Sequence, residues 1–161
     1  MKHPVKIMGF AALLVVLSLC LPIAQARDET FYMPIENVLE MGKALGKLDD
    51  DIKFYFSGQP YPAVEAELVQ DAVTNKKTSL IAFRKEGGNT NKTPEEACKW
   101  AMLSALISFQ QRARKEGGNA IINIESYYKK KSYKSKDQYE CHAGSIMFGV
   151  ALKGDVVRLS K

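Results

Sequence analysis

The chain has 161 residues, 46% of them hydrophobic, with 23 Lys and Arg against 18 Asp and Glu and a formal net charge of +5 at pH 7. That length holds one domain with a sizeable core. The basic excess is too mild to demand nucleic acid, although it permits contact with anionic surfaces.

Lys2 and Lys6 precede an apolar run from Gly9 to Ala24, which closes on Ala24-Gln25-Ala26. A basic start, a short apolar stretch and small residues at an A-x-A site describe a secretory signal peptide. The run is roughly 16 residues, short of the ~20 that span a bilayer, and Pro22 interrupts it. Cleavage is expected after Ala26, with 1–26 the signal and 27–161 a single domain. Lipidation at Cys20 is not expected, because bulky Leu19 stands where a small residue belongs and the apolar run continues past the cysteine. The expected location is the periplasm or the exterior, which argues further against a nucleic-acid partner.

Residues 27–32 read as a loose start to the mature chain. Pro34 opens a short helix with Ile35, Val38, Leu39 and Leu45 near a 3.6-residue spacing, weakened at Gly42 and ended at Gly46. The run from Gly42 to Leu48 is not a phosphate loop: it has one residue too few between the glycines and no Ser or Thr after Lys47. Asp49-Asp50-Asp51 lacks the later Gly and Glu of a calcium loop and reads as a solvated turn. Ile52, Phe54 and Phe56 alternate as a strand, and 57–62 is a turn-rich connector. Residues 63–77 fit two patterns. Val64 and Leu68 sit at helical spacing, whereas Leu68, Val73 and Thr74 fit a twisted, bulged strand; a strand over about 67–75 is favoured, with a short one over 79–83 and a surface loop over 85–92.

Thr93-Pro94-Glu95-Glu96 carries a capping box with Pro at the first helical position, and Gly117-Gly118 supplies a left-handed end. Between them Ala97, Ala101, Ser104, Ala105 and Ser108 form a small-residue stripe flanked by Trp100, Met102, Leu103, Leu106, Ile107 and Phe109, which predicts a helix buried against a sheet. Ile121, Ile122 and Ile124 mark a strand over 119–128. A basic loop or ribbon follows over 129–140, then a strand over 143–152 with Ile146, Phe148, Val150 and Leu152 on one face. Gly149 in that strand suggests a close neighbour.

Cys98 and Cys141 remain once the signal is gone, and two thiols in an oxidising space usually pair. The helix runs about 27 Å beyond Cys98 and the next strand returns about 30 Å, so the two sulfurs meet at one end if that strand runs back along the helix. Free buried thiols are the alternative. No metal site is expected, because Cys98, Cys141 and His142 make poor tetrahedral geometry and a disulfide cannot ligate. Cys141 and His142 point to opposite faces of a strand, so no Cys/His nucleophile is expected, and no catalytic residue or cofactor motif stands out. Tyr127, Tyr128, Lys129, Lys130, Lys131, Tyr133, Lys134 and Lys136 interleave aromatic and basic side chains. Such a surface suits an anionic envelope polymer, a lipid surface or an acidic protein. It equally suits a solvated ribbon whose lysines discourage edge pairing.

At Cys98-Lys99-Trp100-Ala101, Glu116-Gly117-Gly118-Asn119-Ala120-Ile121-Ile122-Asn123-Ile124, Ser126-Tyr127-Tyr128 and Tyr139-Glu140-Cys141-His142-Ala143-Gly144, the chain resembles a family of small exported bacterial proteins often labelled excinuclease ATPase subunits. The likeness runs over about 76–154. The label is unsupported here, since the chain has no phosphate loop, and the family brings no established activity with it. More remotely, a helix, a Gly117-Gly118-Asn119-Ala120-Ile121-Ile122 strand and a cysteine-led strand are similar to the YbjQ-type fold. The disulfide-braced outer-membrane sensor lipoprotein of the Rcs pathway shares that fold. This chain keeps two cysteines after its signal where the sensor has four, so the resemblance implies topology and not signalling. The expected fold is α+β: a mainly antiparallel sheet, one long central helix, a YbjQ-like β-β-α-β-β core and a single disulfide. The function expected is that of a periplasmic binding or envelope-maintenance protein. The alternatives are a small enzyme with a site near the helix N-terminus and His142, or an assembly subunit.

Overall fold

A computed structural model describes residues 29–79, 81–83, 89–145 and 147–160. The expected signal segment, with Cys20 and Ala26, lies outside the described residues, as do 84–88 of the expected surface loop and Ile146 of the expected last strand. The fold is α+β, a mixed, curled sheet with two helices. In chain order the elements are β1 (Glu29–Pro34), α1 (Ile35–Ala44), β2 (Lys53–Phe56), β3 (Val64–Ser79), β4 (Ile81–Phe83), β5 (Asn89–Asn91), α2 (Pro94–Glu116), β6 (Ala120–Ser126), β7 (Gln138–Ala143) and β8 (Met147–Leu159). β8 is the spine. β3 follows one of its edges throughout, while β7 and then β6 share the other. β1 extends the sheet beyond β7, β2 extends it beyond β6, and β4 pairs with β5 as a separate hairpin.

The signals around α2 are realised as read. The Thr93 hydroxyl accepts from the Glu96 amide at 3.1 Å, the Glu96 carboxylate accepts from the Thr93 amide at 2.8 Å, and Gly117 ends the helix at φ 76°. Ala97, Ala101 and Ala105 are fully buried and bring the helix close to the sheet, with Met102, Leu103, Leu106 and Phe109 filling the core around them. Each such large side chain contributes about 1.5–3 kcal/mol through burial. Ser104 and Ser108 depart from the expected stripe. They stand half-buried at its border and return their hydroxyls to the carbonyls of Trp100 and Ser104. Cys98 in the first turn of α2 is bonded to Cys141 of β7, Cα to Cα 5.8 Å.

Elsewhere the chain differs from its local signals. Residues 29–32, expected to be loose, belong to β1 and pair antiparallel with β7, Thr30 opposite His142. The sheet is mixed because β2 runs parallel to β6, Phe54 opposite Ile121. The long crossover through β3 and α2 supplies the connection that parallel pairing needs. The last strand does not begin at residue 143: Ala143 closes β7, the Gly144 amide donates to the Met147 carbonyl at 2.8 Å, and β8 then runs on to Leu159. Gly149 has Lys76 and Lys77 of β3 for its close neighbours. Gly42 lies in a close crossing, where an added Cβ would stand 2.5 Å from Leu48 and 2.9 Å from Leu103. Nor is the acidic turn merely solvated. Arg114 binds Asp51 at 2.9 Å and also Asp49, which holds the Asp51 carboxyl below its usual value and raises the guanidinium. Two bulge residues take left-handed backbone, Asp71 in β3 at φ 50° and Asn123 in β6 at φ 54°. Asp155, between them on β8, accepts from the Asp71 amide at 2.9 Å and from the Asn123 side-chain amide at 2.8 Å.

Tyr139 is 1% exposed and, among the described residues, its hydroxyl has no hydrogen-bond partner. Burial, with the charge of Glu95, pushes its phenol well above the ordinary value. Removing an unsatisfied buried hydroxyl while keeping the ring should be neutral or should stabilise by about 1 kcal/mol. Urea unfolding of Tyr139→Phe is expected to show this, and a loss of comparable size would reveal a partner for the hydroxyl.

Candidate binding cleft beside the Tyr/Lys loop

β7 sends alternate side chains to opposite faces. Tyr139, Cys141 and Ala143 are buried, and Cys141 joins α2, whereas Glu140 and His142 face the other way. The Cys98–Cys141 cross-link and His142 therefore stand on opposite faces of one strand. Among the described residues, the cleft that takes in His142 draws no lining residue from α2.

On the outer face Thr30, Tyr128, Lys129, Lys131, Glu140 and His142 line a cleft of about 210 Å³. Strand pairing builds its floor: Thr30 lies opposite His142 across β1 and β7, with Thr30 Oγ1 3.1 Å from His142 Nδ1. Glu140, two residues back on the same face, brings a carboxylate oxygen to 3.6 Å from His142 Nε2. The Tyr128 ring stacks on the imidazole, centroid to centroid 3.5 Å and 13° from parallel. The wall is a loop closed where the Ser126 and Tyr133 backbones exchange hydrogen bonds of 3.0 and 2.9 Å. Ser126 also accepts the Glu140 amide at 2.9 Å, tying the loop to β7. A single 3-10 turn over Tyr128–Lys130 turns the chain, with Lys129 at φ 50° and Lys130 at φ 63°. Left-handed backbone at two successive lysines is strained, and such strain gathers at binding and switching sites.

The structure brings only part of the predicted ribbon together. Tyr128, Lys129 and Lys131 reach the cleft, and Lys130 is exposed at the turn. Tyr127 lies under the Lys153 ammonium at 4.9 Å, and Tyr133 packs on Tyr32 at 5.0 Å. Lys134 faces Glu125 at 3.8 Å, and the Lys136 carbonyl accepts from Gln59 at 2.6 Å. The tyrosines are thus engaged within the protein, Lys129 lies over the Tyr128 ring at 5.1 Å and Lys134 faces Glu125, while Lys130, Lys131 and Lys136 are exposed. Thr30 was not readable as a member, because β1 meets β7 across most of the chain and no local pattern announces it. Among the described residues no group of three or more His, Cys, Asp or Glu is placed to hold a metal, and no helix is long and apolar enough to cross a membrane. No protein-family model matches the chain, and no curated protein matches it either.

Proposed function

We propose that this is an exported, periplasmic binding or envelope-maintenance protein that contacts anionic envelope components (a polymer, a lipid surface or an acidic protein) through the 127–136 loop. One observation carries the reading: the cleft sets His142 at the base of a strained turn flanked by Lys129 and Lys131. With the tyrosine rings occupied internally, attraction rests on ammonium groups and weakens with salt. Export rests on the signal-like start of the sequence. The order helix α2, strand β6 and strand β7, which carries Cys141, supports the further proposal of a YbjQ-like core around a central helix, within the resembling family of small exported proteins.

Replacing Lys129, Lys130, Lys131, Lys134 and Lys136 with Gln is expected to abolish co-sedimentation with envelope fractions and leave the melting temperature unchanged. A companion variant that keeps Lys134 spares its contact with Glu125 and separates binding from any small structural effect. Unchanged binding in both would remove the proposal. A second reading, a small hydrolytic enzyme, draws on the Thr30–His142–Glu140 alignment. Ester turnover that disappears in His142→Ala, with envelope binding unaffected by the lysine changes, would favour it instead.

A further inference from the structure

β3 has 16 residues, and among the described residues no strand pairs with the edge it turns away from β8. Eight consecutive residues of it, Val69–Lys76, form one wall of a groove of about 500 Å³, and Ser108, Phe109 and Arg112 of α2 form the rest. Consecutive residues point to alternate faces, so a groove lined by all eight runs along the strand's edge. Ser108, small and half-buried on the helix, leaves room there. Thr74, 8% exposed, is among the lining residues, and its buried hydroxyl has no partner among the described residues. An unpaired strand edge presents backbone donors and acceptors to another strand.

We propose that the occupant is β3 of a second copy of this chain, paired antiparallel across a two-fold axis through Thr74. Three features select that partner and register. The irregular steps in β3 all fall before Ala72, and from Ala72 to Ser79 its ladder with β8 is unbroken, so that an axis through Thr74 pairs Ala72–Lys76 of the two copies as regular strand and brings Lys77 to the bulge at Asp71. The strand is polarised in charge, with Glu65, Glu67 and Asp71 in its first half and Lys76 and Lys77 in its second. Antiparallel self-pairing therefore opposes unlike halves. About Thr74, Asp71 of each copy meets Lys77 of the other, and Ala72 meets Lys76. Moving the axis to Lys76 would set that lysine against itself. The Asp71 side chain is 71% exposed, so it remains open to a second cation beside Lys153, and Val73, 57% exposed, comes to flank Asn75 of the other copy. The bulges and lysines then act as a filter, excluding basic or ill-matched strands while admitting this one.

Sedimentation of the purified protein across a wide concentration range is expected to show a reversible monomer–dimer equilibrium. Amide exchange in residues 72–79 is expected to slow as the dimer fills. Lys77→Glu, on an exposed side chain, should weaken the dimer about tenfold or more, because the two-fold repeats each lost contact. Its thermal melt at low concentration should match the parent's. A protein that stays monomeric, a dimer that leaves exchange over 72–79 unaltered, or protection of 72–79 only by a different polypeptide each overturns the proposal.

Discussion

Unfolding the Cys98→Ala/Cys141→Ala protein in urea is expected to require about 2–4 kcal/mol less than unfolding the oxidised parent. The two cysteines are separated by 43 residues and both are fully buried. Closing a loop of that length restricts the unfolded chain by up to about 4 kcal/mol, less whatever the native state gives back. Alanine suits both sites, since a buried serine would add an unsatisfied hydroxyl to the cost. For a domain whose whole stability is on the order of 5–15 kcal/mol, the loss is severe. The cross-link also pins β7 to the first turn of α2, and β7 carries His142 on its other face. Slackening there should reach the cleft, so the envelope binding proposed for it should also weaken in the double variant. Coincident unfolding midpoints for the two proteins would mean that the bridge contributes nothing.

The second large effect concerns Glu125, which is 4% exposed on β6. Its carboxylate accepts the Ser132 hydroxyl at 2.7 Å and pairs with Lys153 at 3.0 Å, with Lys134 further off at 3.8 Å. Burial alone would raise this carboxyl. The hydrogen bonds from Ser132 and Lys153 and the charges of both lysines outweigh it and hold the group below its usual value. Lys153, also paired with Asp71 at 3.1 Å, is pushed up in turn, chiefly by those two carboxylates. Lys153→Met should therefore cost about 2–3 kcal/mol, because it strands a buried charge rather than merely deleting a contact. Adding Glu125→Leu should recover most of that loss. The pH dependence has a defined sign. A carboxyl lower in the folded state than in the unfolded chain stabilises above the ordinary carboxylate range and loses that contribution as pH falls through the folded value. The gap between parent and Lys153→Met is thus widest above about pH 5 and narrows in acid. A gap independent of pH would show that Glu125 is not the group left stranded.

What could be read from the chain was local. Thr93, Pro94, Glu96 and Gly117 announce α2 because capping acts within four residues, and a ruler along helix and strand sufficed for Cys98 and Cys141. The β1–β7 and β2–β6 pairings were illegible, since nothing in residues 29–34 or 53–56 names a partner beyond residue 120. That gap hid Thr30 from the cleft. It also made Tyr127, Tyr128 and Tyr133 look like vacant platforms, when Lys153, His142 and Tyr32 from distant elements occupy their faces. Asp71 and Asn123 belong to the two residue types that, after glycine, most readily tolerate left-handed backbone, a signal that gains meaning only with Asp155 between them.

The parallel seam between β2 and β6, together with the pairing of β1 on β7, has a kinetic consequence. Both opening strands must wait for partners in the last third of the chain. A polypeptide emerging amino-terminus first, from ribosome or translocon, therefore cannot assemble this sheet progressively. Everything through β6 must arrive before the β2 seam closes and everything through β7 before the β1 seam, and such distant pairings place folding on the slow, millisecond-to-second side of single-domain behaviour. Disulfide formation takes seconds to hours, slower than such folding, so oxidation follows closure of the sheet and seals an architecture already formed.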